Sequence, residues 1–209
     1  MVRGGGEGRT LINVGCGVGH FNRLALDRGF RVIGYEPDHD AFLIADEQKV
    51  ENVELVCGDL FAVTNVRADI VVLHDVLEHI DAEGAAIEKI FDLLKSDGIL
   101  IISVPAFERL FGFHDEQLGH FRRYSKPSLR RALRGRFDVV KIRYLGFFAL
   151  PVVYYFSTFR KAGYPDFVQG EQSLKMRIFS FLMRVEKHVG SPLGTSIILM
   201  ARKTQKRSY

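Results

Sequence analysis

The sequence predicts an α/β fold: a mostly parallel sheet with helices on both faces. Three observations point there. Short apolar runs alternate with segments of helical periodicity from residue 10 to about residue 145, the order that parallel βαβ units produce. The first run, ending at Val14, breaks into Gly15, Gly17 and Gly19 before a helical pattern begins. Such a turn lets backbone N–H groups approach a ligand at the carboxyl end of a strand. The chain of 209 residues, 47% hydrophobic and 26% charged, has the composition and length of one ordinary core.

The elements follow in order. Residues 11–14 read as a strand, and 21–27 as a helix closed by Gly29. Residues 31–35 form the second strand, and Asp38 can cap a helix to about residue 49. Strands are expected over 53–57 and 69–73. The helix predicted over 83–94 places Ile87, Ile90, Phe91 and Leu94 on one face. A fifth strand over 98–104 stops at Pro105. Ser125 caps a helix to about residue 133, with Pro127 near its start. Strands over 137–144 and 195–201 complete the set. The chain reads as one domain over 1–209, with a loop at 105–125 and an insertion at 146–194 that is far longer than a hairpin needs.

Charge divides the chain. Residues 1–117 hold 10 Lys+Arg against 21 Asp+Glu, and residues 118–209 hold 19 against 4. The basic half suggests an anionic partner. Two cysteines, Cys16 and Cys57, make no disulfide framework, and no signal peptide is visible, so a cytoplasmic setting is expected.

The glycine spacing excludes one common reading. A dinucleotide fingerprint is G-x-G-x-x-G, but here the third glycine comes one residue early and His20 stands sixth. The run Asn13-Val-Gly-Cys-Gly-Val-Gly19 resembles motif I of class I S-adenosylmethionine (SAM)-dependent methyltransferases instead. Tyr35-Glu-Pro-Asp38, Gly58-Asp-Leu60, the segment 69–80 and the segment 95–105 resemble the family's later motifs in the same order. The resemblance covers roughly residues 10–105. It implies a Rossmann-like, seven-stranded sheet with an antiparallel pair at one edge, and SAM as cofactor. It also implies that Gly15, Cys16 and Gly17 approach the cofactor and that Glu36, followed by Pro37, accepts from the ribose hydroxyls. Asp59 would meet the adenine amino group, Leu60 would lie against the ring, and His74 would form part of the cofactor wall. Asn13 stands where the family carries an acid that holds the methionine amino group. Many members also carry an N-terminal helical cap, which this chain is expected to lack, leaving a more open site.

The segment 69–80 carries His74, Asp75, Glu78 and His79. No metal is expected, because four residues of one turn region do not all converge on one point. The loop after the fifth strand leaves the carboxyl end of a central strand and should lie over the site. Its His114-Asp115 and Gly119-His-Phe-Arg-Arg-Tyr124 resemble a methyltransferase branch (type 11/12-like) associated with surface-glycan or lipid biosynthesis. His114, Asp115 and His120 are therefore the candidate bases, while Arg122, Arg123 and Tyr124 are the candidate acceptor-binding residues, the two arginines clamping a phosphate or carboxylate. The scaffold alternative has Arg122 pair with Asp115 to staple the loop and Tyr124 pack.

The insertion opens on an uncharged run over 144–159, too short and too broken by Pro151 to span a membrane. Over 173–189 apolar residues at helical spacing alternate with Lys175, Arg177, Arg184 and Lys187, the pattern of an interfacial helix on an anionic membrane; a lid packed on its own domain is the alternative. The expected activity is methyl transfer to an amphiphilic or anionic acceptor. Two rivals stay open: an RNA methyltransferase that uses the basic half, and a non-catalytic SAM-binding or membrane-docking module.

Overall fold

Seven strands form one sheet in the order β3-β2-β1-β4-β5-β7-β6. The structure is a computed structural model and describes residues 8–48, 50–155, 186 and 191–205. The chain runs β1 (Thr10–Val14), α1 (His20–Leu26), β2 (Arg31–Glu36), α2 (His39–Glu47), β3 (Val53–Cys57) and β4 (Ala68–His74). It continues through α3 (Glu83–Leu93), β5 (Leu94–Pro105), α4 (Phe113–Gln117), α5 (Lys126–Ala132), β6 (Phe137–Leu145), α6 (Leu150–Tyr155) and β7 (Ser196–Lys203). β1 to β5 pair in parallel. β7 runs against both neighbours, so the antiparallel strand lies one place in from the edge that β6 forms.

The pleat sorts alternate residues to two faces. Ile12, Val14, Ile33, Val71, Leu73, Leu100, Ile102 and Leu199 bury one face against Ile87 and Ile90 of α3 and Leu129 of α5. Leu11, Val32, Ile70 and Val72 bury the other against Ala25 of α1 and the following Phe30. Each fully buried aliphatic side chain contributes about 1.5–3 kcal/mol. Caps set the helix starts: Asp38 accepts from the Ala41 N–H at 2.8 Å, and Ser125 and Ser128 exchange side chain-to-backbone bonds at 3.2 and 2.9 Å.

Two departures from the predicted elements have local causes. β5 starts at Leu94, four residues early, because Leu94 already pairs with Ala68 before a register shift in the ladder. The helix therefore ends at Leu93, and Phe91 turns partly outward against Phe137, with ring centroids 5.8 Å apart. The loop over 105–125 also contains the short helix α4, which its polar, phenylalanine-rich sequence did not announce.

Of the insertion, the structure describes a 3-10 turn (Phe147–Ala149), α6, Glu186 and residues 191–194. The carboxylate of Glu186 accepts from the Phe147 N–H at 3.0 Å. The interfacial pattern over 173–189 otherwise lies outside the described residues. No helix among the described residues is long and apolar enough to cross a membrane.

Candidate active site

Register brings the predicted motifs to one edge of the sheet. Val14 is level with Tyr35 and Leu73, Glu36 with Cys57, and His74 with Ser103. All five parallel strands therefore deliver their carboxyl ends to the same rim, where an open α/β sheet binds its ligand.

The turn after β1 is held from both sides. Cys16 N–H donates to the Tyr35 carbonyl at 3.0 Å. Gly17 N–H donates to Glu36 Oε2 at 2.6 Å, and Asp38 N–H donates to Oε1 at 3.0 Å. Gly15 and Gly17 have φ of 64° and 54°, a conformation that side chains disfavour. A Cβ on Gly15 would strike the Val76 side chain, whereas one on Gly17 would meet open space. Gly15 is thus required by packing, and Gly17 borders the rim's cleft. Cys16 is buried, and that burial pushes its thiol pKa up, so the side chain packs inward while its backbone closes the turn.

Glu36 is only 7% exposed, and Pro37 beside it is exposed. Gly58 N–H donates to the Glu36 carbonyl at 2.9 Å, which brings Asp59 up to the cradle. Asp59 is exposed and caps a 3-10 turn, Oδ1 accepting from Phe61 and Ala62 N–H at 2.9 and 3.0 Å. Leu60 corrects one expectation. It is fully buried in the core, because the 3-10 turn drives it inward, and it presents no surface to the cleft. Phe61, the next residue, is the exposed apolar group there.

Asn13 is 1% exposed and donates to Asn22 Oδ1 at 2.8 Å. Its own carbonyl oxygen has no hydrogen-bond partner. His74 packs edge-on to Phe21, with centroids 4.8 Å apart, and its Nδ1 lies 3.4 Å from Ser103 Oγ. Burial lowers the His74 pKa, with Asp75 opposing.

The loop after β5 assembles differently. Asp115 is fully buried. Its Oδ1 accepts from Arg123 Nε at 2.7 Å and lies 2.9 Å from His120 Nδ1, while Oδ2 accepts from Gly112 N–H at 3.0 Å. These bonds hold its carboxyl below the usual range against the opposing effect of burial, which is the largest single influence. Asp115 is therefore a staple and not a base. Arg123, not Arg122, pairs with it, and Arg123 is itself buried. Arg122 donates to the Asp81 carbonyl at 2.8 Å and lies 3.3 Å from its carboxylate. Tyr124 is buried and donates to Glu83 Oε1 at 2.8 Å; burial first, then Glu83, raises its pKa. The expected arginine clamp is thus engaged by the protein's own acids, and Tyr124 packs.

A cavity of about 340 Å³ opens where β4 and β5 end and β7 begins, lined by Asp75, Glu78, His79, His114, His120 and Arg123 among others. It brings two of the candidate bases, His114 and His120, together. Burial lowers the His114 pKa, with Asp115 opposing. A larger cavity of about 630 Å³ lies beside Glu83, Arg122, Arg131 and Phe121, on the α3–α5 side and away from the glycine turn. The smaller one borders the strand ends and is the candidate acceptor pocket.

Two of its residues had no role in the sequence reading. Glu78 is fully buried, with neither carboxylate oxygen hydrogen-bonded, and burial pushes its pKa up to about 8. His79 is exposed and meets the His120 ring edge-on, centroids 4.6 Å apart. Burial and then His120 lower its pKa. Their sequence signal is the crowding of His74, Asp75, Glu78 and His79 within six residues at the end of an apolar strand.

Comparison with known proteins agrees with this arrangement. A family model described as a methyltransferase domain matches residues 4–141. A ubiquinone biosynthesis O-methyltransferase of Glaesserella parasuis is 28% identical over 106 residues, 46% of this chain and 45% of that protein. The chain spans about half the length of the curated relatives it matches. Among solved structures, a chain in the complex of the Haloferax volcanii Trm112 methyltransferase activator with a methyltransferase superposes with a TM-score of 0.67 at 16% identity, covering 97% of this chain and 85% of that one. The Burkholderia thailandensis 1,6-didemethyltoxoflavin-N1-methyltransferase, solved with its substrate and S-adenosylhomocysteine, superposes with a TM-score of 0.60 at 17% identity, covering 95% and 72%. These likenesses establish the Rossmann-like methyltransferase fold.

Proposed function

The chain belongs to the methyltransferase-domain family, and from that membership we propose that it is a SAM-dependent methyltransferase acting on the oxygen of an amphiphilic or anionic small molecule. The observation that carries the reading is the 2.6 Å bond from Gly17 N–H to Glu36 Oε2. It joins the glycine turn and the acid after β2 into one cradle. The residues fit the cofactor: Gly17 faces open space, and the buried Asn13 carbonyl has no donor of its own, as an acceptor for the methionine amino group requires.

Bound SAM supplies a methyl group already activated on a positively charged sulfur. The chain's task is then mainly alignment, which can supply much of a rate enhancement. Glu36 keeps lone pairs beyond its two backbone bonds for ribose hydroxyls, and Asp59 Oδ2 is the oxygen left for the adenine amino group. His74 and Phe21 wall the cleft. In the acceptor pocket His114 takes the proton of the acceptor hydroxyl. Asp115 positions His120 and takes no proton.

Two observations support the acceptor class. Leu118, on the pocket's lining, and Phe113, beside His114, are exposed on the loop that carries the pocket's histidines, an apolar patch suited to an apolar tail. The relative named for ubiquinone biosynthesis is an O-methyltransferase. The test is transfer of labelled methyl from SAM into a membrane-containing lysate, fractionated afterwards, with Glu36→Ala as the control. Label in lipid or small-molecule fractions, lost with Glu36→Ala, is the expected result. Label confined to RNA would overturn the acceptor class, and failure of the wild type to bind SAM would overturn the activity itself.

A further inference from the structure

We propose that Glu78, His79 and His120 form a binding site for a divalent first-row transition ion inside the acceptor pocket. The three offer one ligand atom each, and these atoms lie within 4.8 Å of one another. Two imidazoles and one carboxylate are a donor set that suits ions such as Zn²⁺, Fe²⁺ and Co²⁺.

Independent features of the same site point to a cation. The Glu78 carboxyl is fully buried, yet neither oxygen has a hydrogen-bond partner. Leaving a buried polar group unpaired is costly, and each such group in a folded protein calls for an explanation. A bound cation supplies one. His120 is already arranged as a metal-binding histidine is: its Nδ1 is 2.9 Å from Asp115 Oδ1. Asp115 fixes the proton on that nitrogen, leaving the Nε2 lone pair for an ion. This is the carboxylate–histidine support commonly found behind metal ligands. Asp115 is in turn held by Arg123 and by the Gly112 N–H, so the support is rigid and the arginine's charge is neutralised within it.

Geometry asks for one small movement. Bonds of about 2.1 Å would set tetrahedral ligands about 3.4 Å apart. His79 is exposed, so its ring can swing the remaining distance while Glu78 and His120 stay in place. Three protein ligands leave at least one coordination position open, as in catalytic rather than structural sites. The cavity of about 340 Å³ gives that position room. The ion would fill it with water or, on the methyltransferase reading, with the acceptor's oxygen; only this last point rests on that reading. Asp75, exposed on the pocket's lining, adds negative charge at the mouth.

The test is titration of chelator-treated full-length protein with Co²⁺, followed by visible absorption, and with Zn²⁺, followed by calorimetry. One equivalent of each is expected to bind with a dissociation constant in the micromolar range or tighter. Glu78→Gln, His79→Ala and His120→Asn are each expected to weaken binding at least tenfold, with thermal melting used to confirm that the variants fold. His79→Ala changes an exposed side chain, so its result remains readable if the buried variants unfold. A wild type that takes up neither ion overturns the site, as does His79→Ala binding as tightly as wild type. SAM binding, measured separately on the same preparations, tests the transferase reading alone. Loss of SAM binding with retained Co²⁺ uptake would sink that reading and leave the metal site standing.

Discussion

The two sides of the cleft are built by different physics. The candidate cofactor side is held by backbone donors: Gly17, Asp38, Gly58 and Cys16 N–H groups bond to Glu36 or to its neighbour Tyr35, and the participants come from three neighbouring strands and the turns after them. The candidate acceptor side is held by side chains. Asp115 gathers Arg123 and His120, Tyr124 reaches Glu83 across 41 residues, and Phe121 N–H bonds to the Glu78 carbonyl. The cradle's donors are all backbone N–H groups, and Glu36 is the one side chain that accepts from them. Buried charge networks fail as units, because removing one member strands another.

Asp115→Ala should separate the two most sharply. It removes the buried carboxylate that balances the Arg123 charge, and a loss of about 3–5 kcal/mol is expected by chemical denaturation. A double variant, Asp115→Leu with Arg123→Met, should recover most of that loss; if it does not, the pair is more than a staple. Glu36→Ala is next. It removes a carboxylate and leaves two backbone donors that water can reach, so its main effect falls on the ligand. SAM affinity should drop about 10- to 150-fold by calorimetry, corresponding to about 1.5–3 kcal/mol for hydrogen bonds to a charged group. An unchanged affinity would mean that the cradle's acid only ties β2 to the turn.

Tyr124→Phe probes whether the acceptor side binds or packs at this residue. As a packed residue it should cost about 1 kcal/mol of stability with KM for the acceptor unchanged. A raised KM at unchanged stability would return Tyr124 to the binding residues. The smallest effect is expected from Asp38→Ala, which removes the α2 cap at a cost of about 1 kcal/mol and leaves the acceptor pocket untouched. A change in acceptor KM there would show that the two sides are coupled.

The placement of the candidate cofactor motifs at the strand ends was largely legible because their signals are local. An apolar run, a glycine spacing and an acid directly after the second strand lie within a few residues of their structural role, and parallel register carries them to one rim. Leu60 was misread because a 3-10 turn set by Asp59 reverses which neighbour faces inward: Leu60 is buried and Phe61 exposed. The acceptor side was legible in composition but not in pairing. The sequence grouped His114, Asp115, His120 and the two arginines on one loop, but the choice between Arg122 and Arg123 as the partner of Asp115 depends on the loop's path. The bridge between Ala106 and Tyr124 sets that path, and no local pattern encodes it.

By itself the sequence determined the α/β order, the strand positions to within a few residues, the glycine turn and the acid beside it, since each depends on periodicity or on one residue's conformational range. Only the tertiary structure decided which charges meet. Glu78 and His79 find their third partner in His120, from a loop 41 residues further along. Phe121 N–H bonds to the Glu78 carbonyl and Arg122 to Asp81, which hold the loop against the segment after β4 while Asp115 holds His120, and the energy of such contacts depends on what surrounds them in space and not on their neighbours in the chain.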